Sequence, residues 1–283
     1  MTMIDQNMNG RICMITGANS GIGLATAVGL AKMGATIVMV CRDREGGEKA
    51  RAELMQLSGQ KNVELMLCDL SSRVQIRALA SAYKSGHDRL HVLVNNAGLV
   101  PKTRQLTAEG MEMQLAVNHL APFLLTNLLL DKLRAGAPSR IVNVSSGMYK
   151  MAALDFDNLQ GEKRYKPMKF YAMTKLLNIY FTYELDRRLE GAGVTANCLG
   201  PGFTATRLGR DFSPFSRFVM KTFANKMEKG AETVIYLASS PDVEKTTGRY
   251  FEKMKEMETT PPTHDREAAQ RLWTISERLA PLA

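Results

Sequence analysis

Apolar runs and helical stripes alternate along most of the chain. Arg11 to Thr16 (RICMIT) is a short apolar run that reads as a buried strand. Leu24, Ala25, Ala27, Val28, Leu30 and Ala31 then recur at helical spacing. The alternation continues with expected strands at Ala35 to Cys41, Val63 to Cys68, His91 to Val94, Ile141 to Val144 and Val194 to Leu199. Gly248 to Phe251 is expected to be the last strand. Asp69-Leu70-Ser71 is expected to cap a helix running to about Ser85. A long helical stretch is expected over roughly Ala108 to Leu133, with a kink or boundary at Pro122. Further helices are expected at Tyr171 to Leu189 and, after the turn Thr259-Thr260-Pro261-Pro262, at about Asp265 to Leu279. Strands alternating with helices imply an α/β fold of Rossmann type. The expected sheet is doubly wound and mostly parallel, with helices on both faces.

The first strand and helix are joined by Gly17-Ala18-Asn19-Ser20-Gly21-Ile22-Gly23. Strand, glycine turn and helix in that order is the context of a dinucleotide site. Glycine lets the backbone approach a pyrophosphate closely, and the helix N-terminus offers free N–H groups to it. The alternative is a glycine-rich loop with no ligand. The second strand ends at Cys41-Arg42-Asp43-Arg44, where the adenosine ribose is expected. An acidic residue there favours NAD, whereas Arg42 is suited to pairing with the 2′-phosphate of NADP. Asp43 keeps the choice open, because a shift of one position puts it in the pocket. The balance of residues favours NADP(H).

Tyr171 and Lys175 stand four residues apart, so on a helix they project from one face. A phenol has a reference pKa near ~10 and is a poor acid or base at neutral pH. A neighbouring ammonium stabilises the phenolate and is expected to lower that pKa.

With 283 residues, 45% of them apolar, the chain suits one large core, expected as a single domain over residues 1–283. Its net charge of +9 raises the question of nucleic acid. The basic residues are scattered, often beside acids, and form no stripe interleaved with aromatics, so no nucleic-acid partner is expected. Cys13, Cys41, Cys68 and Cys198 fall in or at the ends of expected strands without metal-ligand or disulfide spacing. They read as reduced, buried thiols of a cytoplasmic protein. The four histidines are dispersed, so no metal is expected, and His119 reads as a packed helix residue. The start of the chain, MTMIDQNMNG, is short and polar, and neither a signal peptide nor an integral membrane anchor is expected.

Thr16-Gly17-x-x-x-Gly21-Ile22-Gly23, Asn95-Asn96-Ala97-Gly98, Ser145-Ser146 after a strand, Tyr171-x-x-x-Lys175 and Pro201-Gly202 occur in order. This ordered set resembles the short-chain dehydrogenase/reductase superfamily, from about Gly10 to Phe251. From Ser146 to Tyr171 is 25 residues, longer than in the commonest members. With Tyr183-Glu184-Leu185-x-Arg187-Arg188-Leu189 and Leu272-Trp273-x-x-Ser276-Glu277, that segment resembles the retinol-dehydrogenase and protochlorophyllide-reductase-like branch.

The resemblance implies NADP(H)-dependent interconversion of an alcohol with an aldehyde or ketone, often a lipophilic one. It implies Tyr171 as proton donor or acceptor. Lys175 lowers its pKa and bonds the nicotinamide ribose, and Ser146, preferred over Ser145, holds the substrate oxygen. Asn118 supports a water linked to Lys175, or else is a helix-kink residue. Besides Tyr171 and Lys175, the cofactor residues implied are Gly17, Asn19, Ser20, Gly21, Ile22, Gly23, Arg42, Asp69, Leu70, Asn96, Ala97, Gly98, Pro201, Gly202, Thr204 and Thr206. A segment over about 203–227, rich in Phe, Met, Arg and Lys, is expected to cross the substrate end of the cleft. Met148, Tyr149 and Met151 are expected on its facing wall. The rival reading is a non-catalytic dinucleotide-binding sensor or scaffold. The oligomeric state is left open, a homo-oligomer being one possibility.

Overall fold

The computed structural model describes residues 7–202 and 227–282. Thr204, Thr206 and nearly all of the segment 203–227 lie outside the described residues. Eight strands form one sheet in the order β3-β2-β1-β4-β5-β6-β7-β8. They are β1 (Ile12–Thr16), β2 (Thr36–Cys41), β3 (Val63–Leu67), β4 (Val92–Asn95), β5 (Ser139–Val144), β6 (Val194–Gly200), β7 (Tyr250–Glu252) and β8 (Lys255–Glu256). Neighbours from β3 to β7 pair in parallel, and β8 folds back antiparallel on β7.

Helices cover both faces of the sheet, which explains why the inner strands are continuous apolar runs without alternation. One core cluster joins Ile15, Ile37 and Val94 to α1 (Gly21–Lys32), α2 (Arg44–Ser58) and α8 (Met227–Ser239). The other joins Met14, Leu93 and Ile141 to α3 (Arg73–Gly86), α5 (Ala121–Leu128), α7 (Pro167–Arg188) and α9 (Arg266–Leu279). The strand order reverses between β1 and β4, and a crevice opens there at the carboxyl ends of the strands. The glycine turn after β1 and the Asn95–Gly98 stretch after β4 flank it.

Several expected boundaries move. Ser72, not the Asp69–Ser71 triplet, is the N-cap of α3, its hydroxyl accepting from Gln75 N at 3.3 Å. The Ala108–Leu133 stretch is not one helix. It comprises α4 (Met113–Leu115), a π-helical turn over Ala116–Leu120, α5, and α6 (Leu130–Ala135). Pro122 sits at the start of α5, directly after the π-helical turn, and the actual break is at Leu129. Helix α7 starts one turn earlier than expected, at Pro167. The strand at Tyr250 is followed by β8 and so is not the last, because a turn with positive φ at Lys253 and Met254 folds the chain back.

Candidate active site

The glycine turn is built by sterics. Gly17 and Gly21 have φ of +67° and +60°, a region that disfavours side chains. A Cβ on Gly23 would collide with the Gly17 carbonyl oxygen, and one on Gly17 would stand 3.1 Å from Ala97 Cα. Ser20, the N-cap of α1, makes no capping bond with its side chain, so the helix N-terminus keeps N–H groups open to the crevice. Thr16 holds the two sides of the crevice together. Its hydroxyl accepts from the backbone of Asn96 at 3.0 Å and Ala97 at 3.1 Å. Asn96 Nδ2 donates back to the Thr16 carbonyl at 2.8 Å. The shape fits a dinucleotide: a turn that accepts no side chain, next to a helix N-terminus.

At the end of β2, Asp43 is occupied. Its carboxylate caps α2 by accepting from Gly46 N at 2.6 Å. Arg42 is exposed and makes no hydrogen bond or ion pair among the described residues. Cys41 is buried, and the backbone N–H groups of Ala18 and Asn19 donate to its sulfur, fixing the turn against β2. Asp69 caps its own turn, Oδ1 accepting from Ser71 N at 2.9 Å, and Leu70 is partly buried beside it.

The serine, tyrosine and lysine singled out by the sequence meet at the carboxyl end of β5. Ser145 and Ser146 follow that strand but diverge. The buried Ser145 hydroxyl donates to the Lys175 carbonyl at 2.7 Å and anchors α7. Ser146 caps the next 3-10 turn through Met148 N at 3.3 Å, and its hydroxyl faces the Tyr171 phenol closely enough to favour the phenolate. Lys175 Nζ donates to the Val144 carbonyl at 2.8 Å and stands 5.5 Å from the centre of the Tyr171 ring. Asn118 lies in the π-helical turn, fully buried. It accepts from Leu99 N at 2.9 Å and donates to Leu99 O at 3.1 Å and to Thr174 at 3.2 Å. An extra residue in a helical turn pushes one side chain out of register, and here it turns Asn118 towards the cleft floor. Gly98 faces this group: a Cβ on it would lie 3.5 Å from both Asn118 Oδ1 and Lys175 Nζ. Gly202, with φ of +75°, and Pro201 follow β6 at the same edge.

One electrostatic expectation reverses. Burial pushes the Tyr171 phenol up to about 12, and the facing Ser146 hydroxyl offsets only part of this. Burial also pushes Lys175 down to about 8. Desolvation therefore outweighs the ammonium in setting the resting state, and the phenol stays protonated at neutral pH.

The sequence reading overlooked the scaffold under these groups. Asn95 Nδ2 donates to Thr126 at 3.0 Å and to Asn143 Oδ1 at 2.8 Å, and Asn143 donates to Thr182 of α7 at 2.9 Å. This buried chain ties β4 and β5 to the helix that carries Tyr171 and Lys175. The polar residues inside otherwise apolar strands were the available signal. Tyr149 does not line the cleft wall as expected. It is buried edge-on against Tyr250, 5.3 Å between ring centres, whereas Met151 is 65% exposed. His119 is buried, as expected for a packed residue, with Nε2 2.9 Å from Ser276 Oγ, and burial pushes it down to about 4. All four cysteines are free and buried. No helix among the described residues is long and apolar enough to cross a membrane.

This geometry has known counterparts. The family model for short chain dehydrogenase matches residues 11–216. Human retinol dehydrogenase 14 is 45% identical over 289 aligned residues, covering 95% of this chain and 86% of that one. A solved structure of an uncharacterised protein from Mycobacterium paratuberculosis is 33% identical, with a TM-score of 0.79, covering 97% of this chain and 94% of that one. An NADP complex of RhlG from Pseudomonas aeruginosa is 25% identical, with a TM-score of 0.72, covering 88% and 97%. A crevice shaped for a dinucleotide, a serine–tyrosine–lysine cluster beside it and these likenesses agree. The chain belongs to the short-chain dehydrogenase family, in its retinol-dehydrogenase-like branch, and is an NAD(P)(H)-binding oxidoreductase that acts on the alcohol–carbonyl couple.

Proposed function

We propose that the enzyme uses NADP(H) in preference to NAD(H) and acts on lipophilic aldehydes, ketones or alcohols in a cytoplasmic setting. The observation that carries the cofactor choice is the division of labour after β2. Asp43 spends its carboxylate on the α2 cap, while Arg42 is exposed and unpaired among the described residues. The lipophilic choice draws support from retinol in the name of the similar human enzyme and from Met148 and Met151 beside Ser146. Methionine suits an adaptable apolar wall.

In this reading the Gly17–Gly23 turn, with Asn19, Ser20 and Ile22, and the N-terminus of α1 would hold the cofactor's pyrophosphate. Asp69 and Leu70 would flank the adenine, Asn96, Ala97 and Gly98 would line the crevice, and Pro201 and Gly202 would hold the nicotinamide end. The bound dinucleotide supplies the hydride donor or acceptor. The protein moves the proton. Ser146 holds the carbonyl oxygen by a hydrogen bond and keeps it within reach of Tyr171. Tyr171 gives its phenolic proton to that oxygen in reduction and takes it back in oxidation. The Lys175 ammonium stabilises the phenolate left behind. Asn118 fixes the floor of the cleft beneath Lys175 through Leu99 and Thr174.

The test is a series of straight-chain aldehydes followed by NADPH absorbance, with NADH in parallel. Each buried methylene contributes about 0.8 kcal/mol, so kcat/KM is expected to rise about fourfold per carbon over several carbons. A flat series removes the lipophilic site. Arg42→Ala is expected to weaken NADPH by roughly 10–150-fold, as for the loss of one hydrogen bond to a charged group, and to change NADH little. Equal affinity of the unmodified enzyme for both cofactors removes the NADP(H) preference.

A further inference from the structure

At the substrate end of the cleft stands a carboxylate that neither proton transfer nor cofactor binding uses. Glu252 ends β7, level with Gly200 of β6 in the sheet register. It is therefore at the carboxyl edge that also carries Ser146 and Pro201. Its Oε1 lies between those two turns. A Cβ on Gly200 would be 3.2 Å from it, and a Cβ on Gly147 would be 3.4 Å from it. Gly147 directly follows Ser146, which faces Tyr171. A side chain at Gly200 would press on this carboxylate, and one at Gly147 would touch it.

Among the described residues its charge has little local compensation. The Tyr250 hydroxyl donates to Oε1 at 2.8 Å. Burial, reinforced by Glu252 itself, pushes that phenol up, so it stays a neutral donor. Glu252 forms no ion pair among the described residues. The nearby Arg249 pairs instead with Glu256 at 3.4 Å. Lys255, opposite Glu252 across the hairpin, is exposed and does not come within salt-bridge distance. A half-buried negative charge is thus fixed next to the place where a carbonyl substrate meets Ser146.

We propose that Glu252 is a specificity-determining residue that rejects substrates carrying a carboxylate near the reacting carbonyl, restricting the enzyme to uncharged aldehydes, ketones and alcohols. This rests on the carbonyl-reductase reading above and narrows its substrate class. The physics is like-charge repulsion in a site with less screening than water. Two negative charges roughly 8 Å apart at an effective dielectric of ~20 discriminate by about tenfold or more.

The matched probes are succinic semialdehyde and its methyl ester, which differ in one charge close to the aldehyde. With NADPH, the unmodified enzyme is expected to favour the ester by at least about tenfold in kcat/KM. Glu252→Gln keeps the acceptor for Tyr250 and removes the charge, and is expected to move the acid-to-ester ratio about tenfold towards the acid. The effect is electrostatic, so in the unmodified enzyme the same ratio is expected to rise as salt is raised from low to high ionic strength. That measurement needs no variant to fold. Ester turnover with a ratio unmoved by both Glu252→Gln and salt overturns the proposal and leaves the reductase reading standing. An equal change for both substrates in Glu252→Gln, with no salt effect, also overturns it and makes the carboxylate a support for the Ser146 turn. Failure of the unmodified enzyme to turn over either the ester or longer neutral aldehydes overturns the reductase reading and this proposal with it.

Discussion

A phenol buried beside an ammonium feels two opposing pressures on its proton, and at Tyr171 burial prevails. With the phenol pushed up to about 12, it is protonated at neutral pH, the form that the proposed reduction needs. Lys175, pushed down to about 8, is the first of the pair to titrate as pH rises. The sign follows for each direction. Carbonyl reduction is expected to be flat from about pH 6 to 7.5 and to fall with a limb near 8, where the stabilising charge on Lys175 is lost. Alcohol oxidation needs the phenolate and is expected to rise with pH across the same range. Profiles of kcat/KM in both directions check this, and a reduction rate that climbs with pH contradicts it. Tyr171→Phe keeps the ring but not the proton. It is expected to cost ~10²–10⁴-fold in turnover while NADPH affinity stays close to that of the parent enzyme. The Tyr–Lys spacing was legible in the sequence because one helical turn sets it. The direction of the pKa shift was not, because depth of burial is a property of the assembled fold. Ser145 and Ser146 are likewise equivalent in residue type; the family resemblance preferred Ser146, and the geometry supplies the reason, with Ser145 anchoring α7 and Ser146 facing the phenol.

The β1–turn–α1 unit is where local chemistry and tertiary contact demand the same residues, which is why it could be read so directly. Its glycines are not equivalent. Gly21 needs its positive φ but has open space around it, while Gly23 is hemmed in by the Gly17 carbonyl and Asn96 Nδ2. Gly21→Ala is therefore expected to cost about 1–3 kcal/mol of stability through backbone strain alone. Gly23→Ala must displace backbone at the pyrophosphate turn. It is expected to lose at least as much stability and, in addition, more than tenfold in cofactor affinity. Thermal melts with and without NADPH separate the two, since ligand stabilisation should shrink sharply in Gly23→Ala and less in Gly21→Ala. Elements held by distant contacts were read less well. The π-helical turn at Ala116–Leu120 has the same apolar content as an ordinary helix, so periodicity merged it with its neighbours. Its shape follows from Asn118 bonding Leu99 and Thr174, partners 19 and 56 residues away in sequence. Strand β8, Lys255–Glu256, is two charged residues on an exposed edge and carries no apolar signal at all.

Among the described residues, two apolar clusters lie on opposite faces of one sheet, and each strand from β1 to β7 contributes side chains to both. Neither face can lose its helices without exposing the other's strands, which argues for cooperative unfolding of the chain as the single domain its length suggested. The chain's one tryptophan gives a local probe of this. Trp273 on α9 packs edge-on against Phe123 at 5.0 Å and stacks against Phe181 at 5.9 Å, with the Arg188 guanidinium 4.2 Å from its ring. These contacts pin the last helix to α5 and α7, the latter carrying Tyr171. The family match ends at residue 216, yet this later helix completes the layer behind α7. Trp273→Ala is expected to destabilise by about 3–5 kcal/mol, as for a large buried aromatic, and to weaken the support of α7. In the unmodified protein, tryptophan fluorescence reports this face, whereas far-UV circular dichroism reports the whole. The two denaturant midpoints are expected to coincide. If fluorescence changes at clearly lower denaturant than ellipticity, α9 and its layer come away first, and the chain is not one cooperative unit.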